Sequence, residues 1–235
     1  MATVYWNYGR LGNQMHQIAA AYALSLELNE PCEIPPWEYS KFFPNYNDCI
    51  VTIPEVSVRQ VEYQQKWEDH WQCNPIRKNP NQALGGWFES TRYFEGYESE
   101  VRELFFQPGD PVDATAIHVR RTDLFTCNRH VILSDDYYIE AVGRAGWADD
   151  RRHFVFSDDV AWCKQHFCSP CYEFPDGSVM EDFMLMRRCE RLVMANSTMS
   201  WWAGYLNPGQ VIAPRKWWKD KPDWWKTVGT TWTLI

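Results

Sequence analysis

The chain has 235 residues, 45% of them hydrophobic, and a formal charge of -8. That length buries a real core and fits one ordinary domain or two small ones. The acidic balance excludes a broad basic face for nucleic acid, and no stretch has the apolar run of a signal or membrane-spanning segment. A soluble, cytoplasmic protein with its eight cysteines reduced is expected. Fourteen Trp, 12 Tyr and 12 Phe are more aromatics than a core needs, so some are expected to have another use.

Thr3 to Trp6 reads as a short strand and Gly9 to Gly12 as the turn after it. From Asn13 the pattern is helical, with Met15, Ile18, Ala19, Tyr22, Ala23 and Leu26 on one face. Asn29 and Pro31 end that helix. Residues 31 to 75 are irregular and punctuated by prolines, with an alternating strand from Val56 to Val61. Gly85-Gly86 is a turn, and Thr91 to Phe105 reads as a helix. Proline and glycine cluster from Gln107 to Pro111, the best linker in the chain. It divides an N-terminal domain, 1–110, from a C-terminal domain, 111–235, whose tail is expected to pack back on the first.

The second half repeats strand, turn and helix. Strands are read at Ala114 to Val119, His153 to Phe156, Arg191 to Ala195 and Gln210 to Ala213. Helices are read at Val160 to Phe167, Asp182 to Glu190 and Met199 to Leu206. Such alternation implies parallel sheets, in which ligands bind beyond the carboxyl ends of the strands. Each unusual polar cluster falls at such an end.

His118-Val119-Arg120-Arg121-Thr122-Asp123 closes one strand. Neighbouring strand side chains point to opposite faces, so the two arginines do not enter one site together. One guanidinium aimed at a cleft suits a diphosphate, because it pairs two oxygens at once. The other is read as held by a carboxylate such as Asp123; a surface ion pair is the plainer alternative. Ser157-Asp158-Asp159 stands where a metal-binding carboxylate pair could, but the chain has no Asp-x-Asp. Adjacent carboxylates there also cap the following helix. Asn196-Ser197-Thr198 opens a helix, where hydroxyls and N–H groups make an anion site; simple capping uses only one of the three. Cys168-Ser169-Pro170-Cys171, with Cys163 and His166 nearby, offers one ligand pair where structural zinc takes two, so free thiols at a turn are the better reading. Trp217, Trp218, Trp224, Trp225 and Trp232 interleave with Lys216, Lys219, Lys221 and Lys226. Inward packing is the common reason for such a tail; sugar stacking and peripheral contact with a membrane surface stay open.

Five motifs in order then converge. Gly9-Arg10-Leu11-Gly12-Asn13-Gln14-Met15, Gly86-Trp87-Phe88-Glu89-Ser90, His118 to Asp123, Phe156 to Asp159 with Trp162-Cys163-Lys164, and Asn196 to Trp202 together resemble family 11 glycosyltransferases, the bacterial-type α-1,2-fucosyltransferases. The His-x-Arg-Arg-x-Asp element is shared with α-1,6- and protein O-fucosyltransferases. The resemblance implies an α/β fold of two Rossmann-like domains, GT-B-like, in a short variant, with the N-terminal domain on the acceptor side and the C-terminal domain binding the GDP-sugar. It implies a GDP-fucose donor as co-substrate, an oligosaccharide or glycoconjugate acceptor, inversion at the anomeric carbon, and neither metal nor cofactor.

By the same resemblance Arg120 binds the β-phosphate, helped by Asn196, Ser197 and Thr198 at a helix start. Gly12 and Asn13 reach the donor from the N-terminal domain; for Arg10 a structural ion pair is the simpler role. Ser157 and Asp158 lie in the donor site, and His118 and Asp182 match positions that contact guanine. Asp123 is the first candidate for the general base, or else the holder of Arg121. Two features depart from the family pattern: His16 stands where an apolar residue is usual and Glu89 where Gln is usual. Leu124 to Arg129 contains no carboxylate, where α-1,6 relatives carry a glutamate a few residues past the motif. The shorter chain implies a trimmed acceptor part, which leaves acceptor and linkage less defined than the donor. A protein hydroxyl as acceptor, another GDP-sugar, or an inactive glycan-binding fold are the alternatives.

Overall fold

The computed structural model describes residues 1–5, 9–54, 61–65, 72–76, 78–148, 150–221 and 229–235, apart from the side chains of 61–64. The chain divides into two compact units, Met1–Gln107 with Trp224–Gly229, and Pro108–Asp223 with Thr230–Ile235.

In the first unit β1 (Ala2–Val4) leads into α1 (Leu11–Leu28). Gly9 turns the chain at φ 140, and a Cβ there would lie 2.6 Å from the Asn13 Cβ, so only glycine fits. The helix begins earlier than its sequence pattern indicates. Gly12, expected in the turn, is buried inside the first helical turn. Asn29 ends α1 in the left-handed region, φ 52, with its N–H donating to the Leu26 carbonyl. Ala19, Ala20 and Ala21 are all buried. Consecutive burial means that α1 is enclosed on every side there, not on the single face expected.

The unit continues with β2 (Glu33–Ile34), α2 (Tyr46–Cys49), β3 (Val51–Thr52), β4 (Val61–Gln64), β5 (Gln82–Gly85) and α3 (Glu98–Leu104). β1, β5 and β4 form a parallel sheet in that order, and β2 pairs with β3. The strand expected from Val56 lies outside the described residues except at Val61, where β4 starts. The single helix expected from Thr91 is instead a 3-10 turn, Thr91–Phe94, followed by α3. Gly96 separates them at φ 87, which no right-handed helix accommodates. Part of the aromatic excess is spent here: Trp37 stacks on Phe43, and both meet Phe105 edge-on.

The second unit contains β6 (Val112–Val119), α4 (Thr122–Thr126), α5 (Asp135–Arg144), β7 (Arg152–Ser157), α6 (Val160–His166), β8 (Tyr172–Glu173), α7 (Val179–Arg188), β9 (Cys189–Val193), α8 (Thr198–Leu206), β10 (Gln210–Ala213) and β11 (Thr233–Leu234). Its six-stranded sheet runs β11-β10-β9-β6-β7-β8 and is parallel throughout. Ile117 and Val119 of β6 share a buried cluster with Val193, Tyr138 and Ala141 of α5, and Cys163 of α6. The strand's alternate residues therefore face α7 and α8, and α7 does pack on β6 and on α8.

Ser178 and Glu181 form a reciprocal capping box at the start of α7. Trp217 and Trp218 are buried, Trp217 donates to the Pro214 carbonyl at 3.0 Å, and Trp232 meets Trp201 edge-on. These three tail tryptophans pack inward; Trp224, Trp225 and Lys226 lie outside the described residues. Among the described residues no helix is long and apolar enough to cross a membrane.

Candidate active site

The second unit's chain goes from β6 outward to β7 and β8, then returns to lay β9 on the other side of β6. The strand order reverses between β6 and β9, and ligands of open parallel sheets bind beyond the carboxyl ends at such a point. The two motifs that end there are His118 to Asp123 and Asn196 to Thr198.

His118, next to last in β6, is buried, and its Nδ1 lies 2.7 Å from the Ser200 Oγ. Ser200 Oγ also accepts from the Ala195 N–H at 3.1 Å. The first turn of α8 is thereby tied two residues from Arg120. Continuing the β6 alternation puts Arg120 on the side of His118 and α8, and Arg121 on the side of Val119. The contacts agree. The Arg121 guanidinium lies 3.7 Å over the ring of Trp162 on α6, 5.2 Å over that of Phe125, and 3.6 Å from Asp159 Oδ2. Arg120 instead forks onto Asp123, Nε donating to Oδ1 at 3.0 Å and Nη2 to Oδ2. This reverses the expected pairing: Asp123 holds Arg120, and Arg121 is held by aromatic faces and Asp159. The cause is the short helix α4, which turns Asp123 back toward the residue three before it.

Asp158 and Asp159 both serve helix starts. Asp158 accepts from the Arg121 N–H at 2.9 Å, the Thr122 N–H at 3.1 Å and the Thr122 hydroxyl at 2.6 Å. Asp159 caps α6 through the Trp162 N–H at 3.1 Å. Ser157 Oγ accepts from the Asp159 N–H at 2.9 Å. Asp158 and Ser157, expected at the donor, are here occupied in fixing α4 and the β7 end, because free N–H groups at a helix start attract the nearest carboxylate. Asn196 is buried and donates to the carbonyls of Val131, at 2.6 Å, and Trp217, at 3.3 Å. Its amide nitrogen thereby ties two loops together, while the buried amide oxygen makes no hydrogen bond among the described residues. Ser197 is the residue before α8, but its hydroxyl makes no capping bond. Thr198 begins the helix, partly exposed. Asp182, in the first turn of α7, has its carboxyl pushed up to about 6 by burial, then by the carboxylates of Glu181 and Asp176. α7 leads straight into β9 and antiparallel to it, so its start lies at the same carboxyl edge.

Gly12 and Asn13 belong to the first unit. Asn13 Nδ2 donates to the buried Glu89 at 3.3 Å. This joins the first motif to Gly86–Ser90. There the buried Phe88 holds φ 49, and Gln65 Oε1 accepts from the N–H groups of Trp87 and Phe88, at 2.9 and 3.1 Å. A positive φ on a bulky residue is strained and persists only where its surroundings hold it. Sequence reasoning missed Ser200, Gln65 and the aromatic bed of Arg121. Only Ser200 carried a local signal, three residues inside a helix that starts at the site. All eight cysteines are free thiols, and among the described residues no group of three or more His, Cys, Asp or Glu could hold a metal ion.

The family described as Glycosyl transferase family 11 matches residues 93–223, more than half of the chain and nearly the whole second unit. The chain belongs to glycosyl transferase family 11. It is a glycosyltransferase, and the matched stretch includes the β6 and β9 ends. It is 26% identical to an α-1,2-colitosyltransferase of Escherichia coli, over 89% of this chain and 90% of that one. It is 25% identical to the galactoside 2-alpha-L-fucosyltransferase SEC1 of Bos taurus, over 87% of this chain and 64% of that one. The fold resembles the fucosyltransferase NodZ from Bradyrhizobium, with a TM-score of 0.59 at 12% identity, covering 88% of this chain and 92% of that one. That likeness places this family 11 chain in the GT-B-like, two-domain α/β class.

Proposed function

We propose that this chain transfers L-fucose from GDP-β-L-fucose, with inversion and without a metal, to O2 of a terminal galactose on a glycan, and that it does so in the cytoplasm. The observation that carries the reading is the position of Arg120: a guanidinium directly after β6, whose His118 is tied to α8, at the point where the strand order reverses. The linkage is taken from the α-1,2 relatives. GDP-fucose is the ligand named for a NodZ structure of the same fold.

Breaking the sugar–phosphate bond builds negative charge on the departing GDP. In this reading Arg120 meets that charge on the β-phosphate, with Ser197, Thr198 and the α8 N–H groups behind it. Donors fixed in this way commonly supply about 3 kcal/mol each to the barrier. His118 and Asp182 take the guanine, where a carboxylate accepts from the ring N–H and the amino group together. Asp123 keeps Arg120's fork oriented, which makes it a positioning residue.

The colitosyltransferase, matched over 90% of its length, favours a second reading, in which the linkage is kept and the donor sugar is colitose. Turnover of GDP-fucose and GDP-colitose on a panel of β-galactosides, with EDTA present, decides between them. Fucose appearing on O2 of galactose, lost in Arg120→Ala, supports the first reading. Transfer only from GDP-colitose selects the second. A requirement for metal, or no binding of GDP, refutes both.

A further inference from the structure

We propose that Phe125 is the stacking face for the acceptor's sugar ring. The proposal rests on the donor orientation given above. Phe125 is 56% exposed. Single exposed aromatics are ordinary, but this one is held in place. The Arg121 guanidinium lies over its ring, Arg121 lies in turn over Trp162, and His166 stacks on Trp162 at 3.7 Å. The helix that carries Phe125 is anchored by three hydrogen bonds to Asp158 and by the buried Leu124. The result is a flat apolar ring, fixed from behind by a cation and open in front, two residues from Asp123 on the same short helix.

Its place relative to Arg120 selects the ligand. His118 and Asp182, the guanine contacts in the proposed reading, lie on the α7 and α8 side of the sheet. Arg120 meets the β-phosphate, and the sugar is joined to that phosphate, so the sugar lies beyond Arg120 and away from α7. Phe125 lies on that far side, with Arg121 and α6. A pyranose presents a C–H face of the size of a phenyl ring, and burying that face against an open aromatic removes apolar surface from water on both partners. An exposed hydroxyl-rich ring needs such a platform to fix which hydroxyl points at the anomeric carbon.

The test pairs kinetics with saturation-transfer NMR on a β-galactoside in the absence of donor. Phe125→Ala is expected to raise the acceptor KM about tenfold, with donor KM and GDP affinity unchanged. Its saturation transfer from protein to galactoside is expected to vanish. Phe125→Tyr and Phe125→Trp, which keep a flat ring, are expected to keep both. An unchanged acceptor KM, or a loss of GDP affinity instead, overturns the proposal; the second outcome would mean that the ring stacks on the nucleobase. If the wild type does not use GDP-fucose, the donor reading fails, while the NMR comparison still decides whether Phe125 holds a galactoside.

Discussion

Asp123→Asn separates two jobs that a carboxylate in this motif could do. In the structure both Asp123 oxygens face Arg120, whose side chain is 22% exposed against 41% for the aspartate. A pair with that much water around it contributes about 1 kcal/mol or less. The amide retains one oxygen to accept from the guanidinium, so the positioning loss is at most about fivefold in kcat. GDP affinity is not expected to weaken, because a negative charge near the diphosphate has been removed. A general base is different: removing one costs roughly 10²- to 10⁴-fold and abolishes the acid limb of the kcat profile. The assay is GDP release with donor and β-galactoside across pH, beside calorimetric titration of GDP. A loss of about a hundredfold or more together with a vanished acid limb would refute the positioning role and make Asp123 the base.

Arg120→Lys keeps the charge but loses the fork, so GDP affinity by titration is expected to fall about tenfold or more; affinity equal to wild type would mean that the phosphates bind elsewhere. Asn196→Ala removes the amide that bridges the Val131 and Trp217 carbonyls. It is expected to cost about 1–3 kcal/mol, a fall in Tm of about 2–4 °C per kcal/mol by scanning calorimetry. Asp182 has its carboxyl raised to about 6 in the fold, so its proton is held more tightly there than in the unfolded chain. Its contribution to stability is complete below the ordinary carboxylate range and lost as pH rises through about 6. Asp182→Asn is therefore expected to match wild type in Tm near pH 4 and to exceed it increasingly toward pH 8. The same variant should lose GDP affinity, and a Tm difference independent of pH would contradict the burial argument.

Much of the fold was legible because it is written in periodicity. The apolar runs of β6, β7 and β10, the helical patterns between strands and the polar clusters behind them imply a parallel sheet without any long-range information. The misses have local physical causes. Gly96 splits the stretch from Thr91 because it takes a positive φ, and a periodic pattern does not report on backbone sign. α5 went unread although Ser134 caps it and Asp135 and Asp136 fill its first turn. Its buried face is only Tyr138, Ala141 and Val142, too little apolar signal to stand out beside a strand.

The candidate site was legible as a location more than as a set of roles. Its residues are hydroxyls, amides, carboxylates and arginines, and those same groups also satisfy helix ends and loop carbonyls. Which use prevails depends on what lies within reach in three dimensions. Asp158 is near the start of α4 only because β7 pairs with β6 in register, Val119 beside Ser157. Asn196 reaches Val131 and Trp217 only because two loops distant in sequence meet below it. So the motif divides. Asp158, Asp159, Asn196 and Ser200 build the edge, while Arg120 and the start of α8 are placed by it. A motif residue that looks catalytic in sequence can therefore be strictly required and still touch no substrate. The Arg120 and Asp123 variants expose that difference, because losing a support moves stability and orientation, whereas losing a contact moves affinity or the barrier itself.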